Sequence, residues 1–460
     1  MKVWLKNSLF VLGLIFSPIY ATTPAIQEFR LNNGLKLIVK EDHRSPVVIF
    51  TIWYKVGGSY EHNGITGISH VLEHMMFRGT QKFPAGKFEK MISEVGGEQN
   101  AMTDNDFTMY YELLPANQLP LSFMLEADRM HNALMSEQDF AKEIQVVMEE
   151  RRMRYDDNPQ AVTFERFNAA AFINNPYHHQ AIGWMTDLQN MTAKNALDWY
   201  KTWYQPNNAI IVVVGDVKPD QVYQLAQKYF GPIPKKEVPL LKPRTEVASL
   251  GPIRVDVNLP AQLPFLIQGY QAPTITTTKL AWQPYALDVL SNILGGSSSS
   301  RLQNKLIRQQ RIATSVQTSY DPFNLHSTLL QIFSIPGKGS LTYNLEKSIY
   351  DEIIQLQQKV ITPDELQRVK AQMIASKVYS RDSVQDQAMV LGAPEAVGLS
   401  WQYGENYINN IDKVTPEQIQ QIAKLLLIPK ALTVATLHPE TMSAQMKPPL
   451  NVQPRREPGQ

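Results

Sequence analysis

Met191-Thr192-Ala193-Lys194 opens a helix that ends near Tyr204, and Tyr204-Gln205-Pro206-Asn207-Asn208 then leads into the apolar strand Ala209 to Val214 and Gly215-Asp216. The same order returns late in the chain. Val414-Thr415-Pro416-Glu417 opens a helix, Ala431 to Leu437 makes a strand, and His438-Pro439-Glu440 follows. Both helices carry Thr at the capping position, where its hydroxyl can satisfy a free backbone N–H. The two units lie about 220 residues apart. That period is too long for a solenoid and fits two homologous domains, each closing on the same helix–strand unit.

The boundaries follow from composition. Pro232-Ile233-Pro234-Lys235-Lys236-Glu237-Val238-Pro239 reads as an extended, semi-rigid linker. It sets a first domain at 22–231, a linker at 232–247 and a second domain at 248–445. The Pro-, Gln- and Arg-rich stretch 446–460 reads as a disordered tail. At the other end, Lys2 and Lys6 flank a short apolar run, Leu9 to Phe16, and Ala21 closes a small-residue site. This reads as a signal peptide, 1–21, cut after Ala21, since the run is too short to anchor the chain across a bilayer. Export to a periplasm, or secretion beyond it, is the expectation, with no stable membrane anchor.

Within the first half, Asn33-Gly34 is a tight-turn dipeptide between apolar alternations, which predicts a hairpin over Phe29 to Lys40. Val47 to Val56 predicts a strand. Strands and helices come in mixed order rather than strict alternation, so the class is α+β. The 44 basic and 43 acidic residues give a net charge of +1, which points to neither nucleic acid nor an anionic membrane. There are no cysteines, so cysteine is excluded as nucleophile, metal ligand or disulfide partner.

His70-Val71-Leu72-Glu73-His74 carries the chemistry. Read as H-x-x-E-H, it is the mirror image of the commoner H-E-x-x-H zinc pattern. On a helix the two histidines are four apart and share a face, so both imidazoles can grip one ion. Glu73 is close enough to hold a water without being a ligand, which leaves an open coordination position. Two surface histidines on a solvated helix would give the same letters, on the order of once per hundred chains of this length. A third ligand is therefore needed. The segment Ser136 to Tyr155 is rich in helix formers with no Gly or Pro, and Glu143 and Glu150 in it lie one heptad apart on one face while Glu149 points elsewhere. Taken alone, that segment also reads as a charged solvated helix.

Here the chain resembles the pitrilysin/insulysin metallopeptidases, which include the mitochondrial processing peptidases, and among them bacterial processing-peptidase-like members. In that family a glutamate roughly 76 residues beyond the second histidine completes the zinc site, and the count from His74 lands on Glu150. A supporting glutamate seven residues earlier matches Glu143. Gly96-Gly97-Glu98-Gln99-Asn100-Ala101-Met102-Thr103, then Asp106, Thr108 and Tyr110-Tyr111, resembles the family's G-G-x-x-N-A-x-T region. Tyr204-Gln205-Pro206-Asn207-Asn208 with Gly215-Asp216 resembles its Y-x-P-N-N-strand-G-D.

The resemblance implies an antiparallel sheet packed with helices in each half, the halves enclosing a chamber. It implies a Zn²⁺ endopeptidase acting on peptides or unfolded polypeptide. His70, His74 and Glu150 would bind the metal, Glu73 would act as general base, and Glu143 would orient a ligand. It also implies that the strand at Asn100 and Ala101 is a sheet edge where an extended substrate adds by β-pairing; an open edge beside a metal site would otherwise be a liability. His178-His179 are adjacent and point apart, so they are not expected to share an ion.

The second half lacks H-x-x-E-H and has Gly295-Gly296-Ser297-Ser298-Ser299-Ser300-Arg301-Leu302 at the equivalent place, so one zinc site is expected. No P-loop Lys accompanies those glycines, which excludes a nucleotide site. The family's substrate-binding Arg and Tyr of the second domain find no match. Thr314 stands where relatives often show Tyr, Ser327 to Gly339 contains no Arg, and the next tyrosine is Tyr343, so Tyr320 or Tyr343 would have to serve. A homodimer, or a heterodimer with a related chain that supplies the pair, is therefore expected. A non-catalytic or partner-dependent subunit is the alternative reading.

Overall fold

The structure is a computed structural model and describes residues 26–440. The signal-peptide and tail readings lie outside the described residues. Six strands form a first sheet: β1 (Ile26–Arg30), β2 (Lys36–Glu41), β3 (Val47–Tyr54), β4 (Glu98–Thr103), β5 (Thr108–Pro115) and β6 (Ala209–Gly215), in the order β1-β2-β6-β3-β5-β4. Five form a second: β7 (Ile253–Pro260), β8 (Phe265–Ala272), β9 (Ala313–Ser319), β10 (Thr328–Pro336) and β11 (Leu432–Glu440), in the order β7-β11-β8-β10-β9.

The two orders superimpose. β2, β6, β3, β5 and β4 correspond to β7, β11, β8, β10 and β9. In each sheet the last strand slots between the first two of the motif and runs parallel to one of them, β6 beside β2 and β11 beside β7. All the other pairs are antiparallel. Each sheet is thus antiparallel, as expected, but for one parallel pair. It arises because the closing strand returns through a long helical crossover, which a parallel neighbour requires. The repeated units supply those crossovers. Thr192 caps helix Ala193–Trp203 and Thr415 caps helix Pro416–Leu426, each by a reciprocal box with the side chain three residues on, Asn195 and Gln418.

β3 reads Val-Val-Ile-Phe-Thr-Ile-Trp-Tyr, a continuous apolar run, because both of its faces are covered. Val48, Phe50, Ile52 and Tyr54 pack toward the first half's own helices. Ile49 and Trp53 pack against Ala388 and Leu391 of helix Val384–Ala396, which belongs to the second half of the chain. The reverse also holds. Phe167 and Ala171, on helix Pro159–Ala171 of the first half, cover Val257, Ile267, Leu329 and Ala435 of the second sheet. Each half thus lends a helix to the other.

Asp106 pins the same seam. Its buried carboxylate accepts from Ser59 Oγ at 2.7 Å, Tyr177 OH at 2.5 Å and the Leu325 N–H of the second half at 2.8 Å. The intervening residues 234–249 carry neither helix nor strand.

The lent helix sets up a direct test. A Cβ added at Gly392 would meet the fully buried Trp53 indole at 2.3 Å. Gly→Ala in a helix ordinarily gains about 1 kcal/mol. Forcing a methyl into a rigid, packed ring typically costs about 1–3 kcal/mol. The second effect should win, so Gly392→Ala is expected to lower the urea midpoint and Gly392→Val to lower it further. A stabilised Gly392→Ala protein would mean that this helix is not seated on Trp53.

Candidate metal centre

The H-x-x-E-H residues lie on helix Ile68–Met76, and its start is built for position rather than propensity. Gly67, at the cap, takes φ +90°, and a Cβ there would strike the Ile182 carbonyl at 2.4 Å. No capping side chain comes from the cap residue itself. Instead the buried Glu61 carboxylate accepts the Gly67 N–H at 2.7 Å and the Ser69 N–H at 2.9 Å. Asp187 holds the preceding loop through the Gly64 and Thr66 N–H groups and the Thr66 hydroxyl. Burial pushes the Glu61 carboxyl up to about 8, against the pull of those two N–H bonds.

The facing helix, Glu137–Arg151, is capped by Ser136 and passes at once into a π-helical turn, Arg152–Asp156. Expected as one helix to Tyr155, the segment widens just after its key glutamate, where π-turns tend to mark functional sites. Helix phase separates the neighbours. Glu149 turns outward to an ion pair with Arg152, its side chain 63% exposed, while that of Glu150 is 16% exposed and turns inward.

Glu150 Oε2 lies 3.7 Å from His70 Nε2 and 3.3 Å from His74 Nε2. The three donor atoms fall within 4.8 Å of one another, and among the described residues no other such group of three or more His, Cys, Asp or Glu occurs. Two imidazole nitrogens and a carboxylate oxygen are the donor set of a catalytic zinc site. Burial, with the His74 charge, pulls His70 down to about 4, so its ring is neutral, as a ligand must be. His70 Nδ1 is buried with no hydrogen-bond partner, and Nε2 is the nitrogen that meets Glu150. Burial opposes ionisation of Glu150, yet the His74 hydrogen bond and the Arg154 charge help to hold its carboxyl at about 2. The residues therefore fit the ion.

Glu143 faces the other side of the His74 ring, Oε2 to Nδ1 at 3.5 Å, and is gripped by Arg78. A carboxylate behind a metal-binding histidine fixes its tautomer and raises its basicity. Glu143→Gln is expected to weaken zinc binding about 10–100-fold, read by chelator competition. Unchanged affinity would mean that His74 is oriented by something else.

Glu73 is not among the converging atoms. Its Oε2 accepts a 2.6 Å hydrogen bond from Thr103 Oγ1, the last residue of β4. Burial raises its carboxyl above the usual range despite that bond and the His74 charge. β4 is one of the two edge strands of its sheet. On it the Ala101 N–H is taken by the Asn100 side-chain oxygen at 2.9 Å. His178 and His179 turn to separate backbone carbonyls, Asn175 and Gln180, away from the cluster. Tyr320 donates to the Pro273 carbonyl at 2.5 Å, Thr314 to that of Ile335, and Tyr343 is 68% exposed. Among the described residues no second-half arginine or tyrosine hydrogen-bonds to or ion-pairs with His70, Glu73, His74 or Glu150.

Sequence reasoning assigned no site role to Glu61 or Arg78, and named Thr103 only as part of the Gly96 to Thr103 pattern. Arg78 had a signal, since it falls four residues after His74. Glu61 had none, because a loop brings it to the helix, and the pattern that contains Thr103 did not tell that its hydroxyl meets Glu73.

Comparison with known proteins matches both halves. The family described as Insulinase (Peptidase family M16) matches residues 36–183, and Peptidase M16 inactive domain matches residues 190–373. The zinc protease PqqE of Helicobacter pylori is 32% identical over 79% of this chain and 82% of that protein. The crystal structure of a protease from Helicobacter pylori is similar with a TM-score of 0.85 at 30% identity, over 90% of this chain and all 100% of that one. The periplasmic protease PqqL from Escherichia coli shares the fold, with a TM-score of 0.76 at 16% identity, over 91% of this chain and 49% of that one.

Proposed function

The chain belongs to the insulinase family of peptidases, M16, whose fold of two homologous domains encloses a chamber, and on that premise we propose that it is a zinc-dependent endopeptidase that hydrolyses peptides or unfolded polypeptide segments. The observation that carries this reading is the convergence of His70, His74 and Glu150 beside an acid, Glu73, that is not one of the three. His70, His74 and Glu150 would hold Zn²⁺. The ion, when bound, supplies Lewis-acid polarisation of the scissile carbonyl and makes a water more acidic. Glu73 accepts a proton from the attacking water. The water oxygen bonds to the carbonyl carbon, the C–N bond breaks, and Glu73 passes the proton to the leaving nitrogen. Its raised affinity for a proton suits both transfers. Glu143, braced by Arg78, keeps the His74 ring aligned.

β4 is the surface on which we seat the substrate, as an added strand along Asn100 and Ala101. The Asn100 amide, now on the Ala101 N–H, would swing aside to let a substrate carbonyl take its place. We place the protein in the periplasm, as its N-terminal pattern and the periplasmic neighbour suggest. No helix among the described residues is long and apolar enough to cross a membrane. We further propose a dimer, with a second copy or a related chain supplying the arginine and tyrosine that the second half does not bring to Glu150.

One experiment tests both. The purified chain is sized in solution and given a diverse peptide mixture, with and without chelator, with products read by mass spectrometry. Chelator-sensitive cleavage by a dimer is expected. Bound zinc without cleavage of any peptide, alone or with a related chain, would refute the endopeptidase reading, and a fully active monomer would refute the dimer.

A further inference from the structure

At the seam between the halves lies a cavity of about 330 Å³ that the metal centre does not use. The first half contributes Arg30, Lys36, Lys55 and Asn207 to its wall, and the second contributes Glu395 and Ser400. Of the charged residues that line it, three are cations and one is a carboxylate. The carboxylate is already committed, since Glu395 Oε1 takes Lys36 Nζ at 2.6 Å and the Trp401 N–H at 2.9 Å. Lys36 has a second partner in Glu28 at 3.1 Å.

Lys55 and Arg30 are different. Among the described residues neither has a carboxylate within 4.0 Å or a side-chain hydrogen bond. Arg30 reaches solvent, but Lys55 is half-buried at the end of β3. Proteins pair the cations that they desolvate, because an uncompensated one costs several kcal/mol. Burial accordingly holds the Lys55 ammonium below its usual range; Glu395 opposes this, and the like charges of Arg30 and Lys36 add to it.

We propose that this cavity binds a small doubly charged oxyanion, inorganic phosphate or a phosphomonoester, held between Lys55 and Arg30 of the first half and the 398–400 loop of the second. Such an anion supplies the counter-charge that the fold lacks there. It would also tie the first half to the 398–400 loop that follows helix Val384–Ala396, and so stiffen the apposition of the halves. The site is independent of metal binding and of peptide hydrolysis.

The test is thermal melting of the full chain in chloride and in inorganic phosphate at equal ionic strength. Phosphate at about a hundredfold excess over its dissociation constant should raise the midpoint by roughly 3–5 °C. Lys55→Met should abolish that response and, in chloride, melt above the wild type, because an unpaired, half-buried charge has gone. Arg30→Gln, at an exposed position, should weaken phosphate affinity roughly tenfold. Glycerol phosphate in a parallel titration separates the two sources, since tighter binding than inorganic phosphate assigns a phosphomonoester. An absent wild-type response, or an equal response in wild type and both variants, would overturn the proposal.

Discussion

Glu73→Gln should bind zinc as the wild type does and cleave peptide about 10²–10⁴-fold more slowly. The geometry separates the two properties. Glu73 contributes no atom to the converging group of His70, His74 and Glu150, so metal affinity has no reason to fall. The amide keeps the shape of the side chain, and its oxygen can still accept from Thr103 Oγ1 as Oε2 does now. What disappears is the proton acceptor. Metal content by elemental analysis and turnover on a peptide are the two measurements. Near-wild-type turnover would remove Glu73 from the mechanism. Loss of zinc together with activity would make it a ligand instead.

Glu150→Gln is expected to lower zinc affinity well beyond the roughly 10–100-fold typical of groups that only orient a ligand, whereas Glu149→Ala should leave it unchanged. The two residues are neighbours with nearly opposite surroundings. Glu150 sits 3.3 Å from His74 Nε2, and the His74 hydrogen bond and the Arg154 charge help to hold its carboxyl low. Glu149 lies in solvent with Arg152. Its surface ion pair contributes little, about 0–1 kcal/mol of stability at most. A competitive chelator titration of both variants decides the matter. Equal metal loss would mean that the helix phase is wrong.

These two predictions draw on unequal mixtures of sequence and structure. That His70 and His74 share a face, and that Glu143 and Glu150 share another, follows from helical periodicity alone. So does the isolation of Glu149. The meeting of the two helices does not follow from it, and the match to a known family was what joined His74 to Glu150 across the intervening chain. Glu73 could be read as a non-ligand from its spacing. Its bond to Thr103 could not, because that bond depends on where an edge strand passes over a helix.

The sequence by itself determined the local elements and the duplication. The Thr192 and Thr415 caps, the Asn33-Gly34 hairpin and the apolar run of β3 are short-range signals, carried by neighbouring residues, and they appear where those signals lie. Tertiary structure alone decided which surfaces meet. Helix Pro159–Ala171 buries Phe167 and Ala171, helix Val384–Ala396 buries Ala388 and Leu391, and nothing local says that each must cover the sheet of the other half. The parallel pairing of β2 with β6 and of β7 with β11, the Glu61 cap on the metal-site helix and the unpaired Lys55 at the seam have the same origin. Each is set by contacts between residues far apart in the chain, whose partners are chosen by shape, burial and charge only once both surfaces exist.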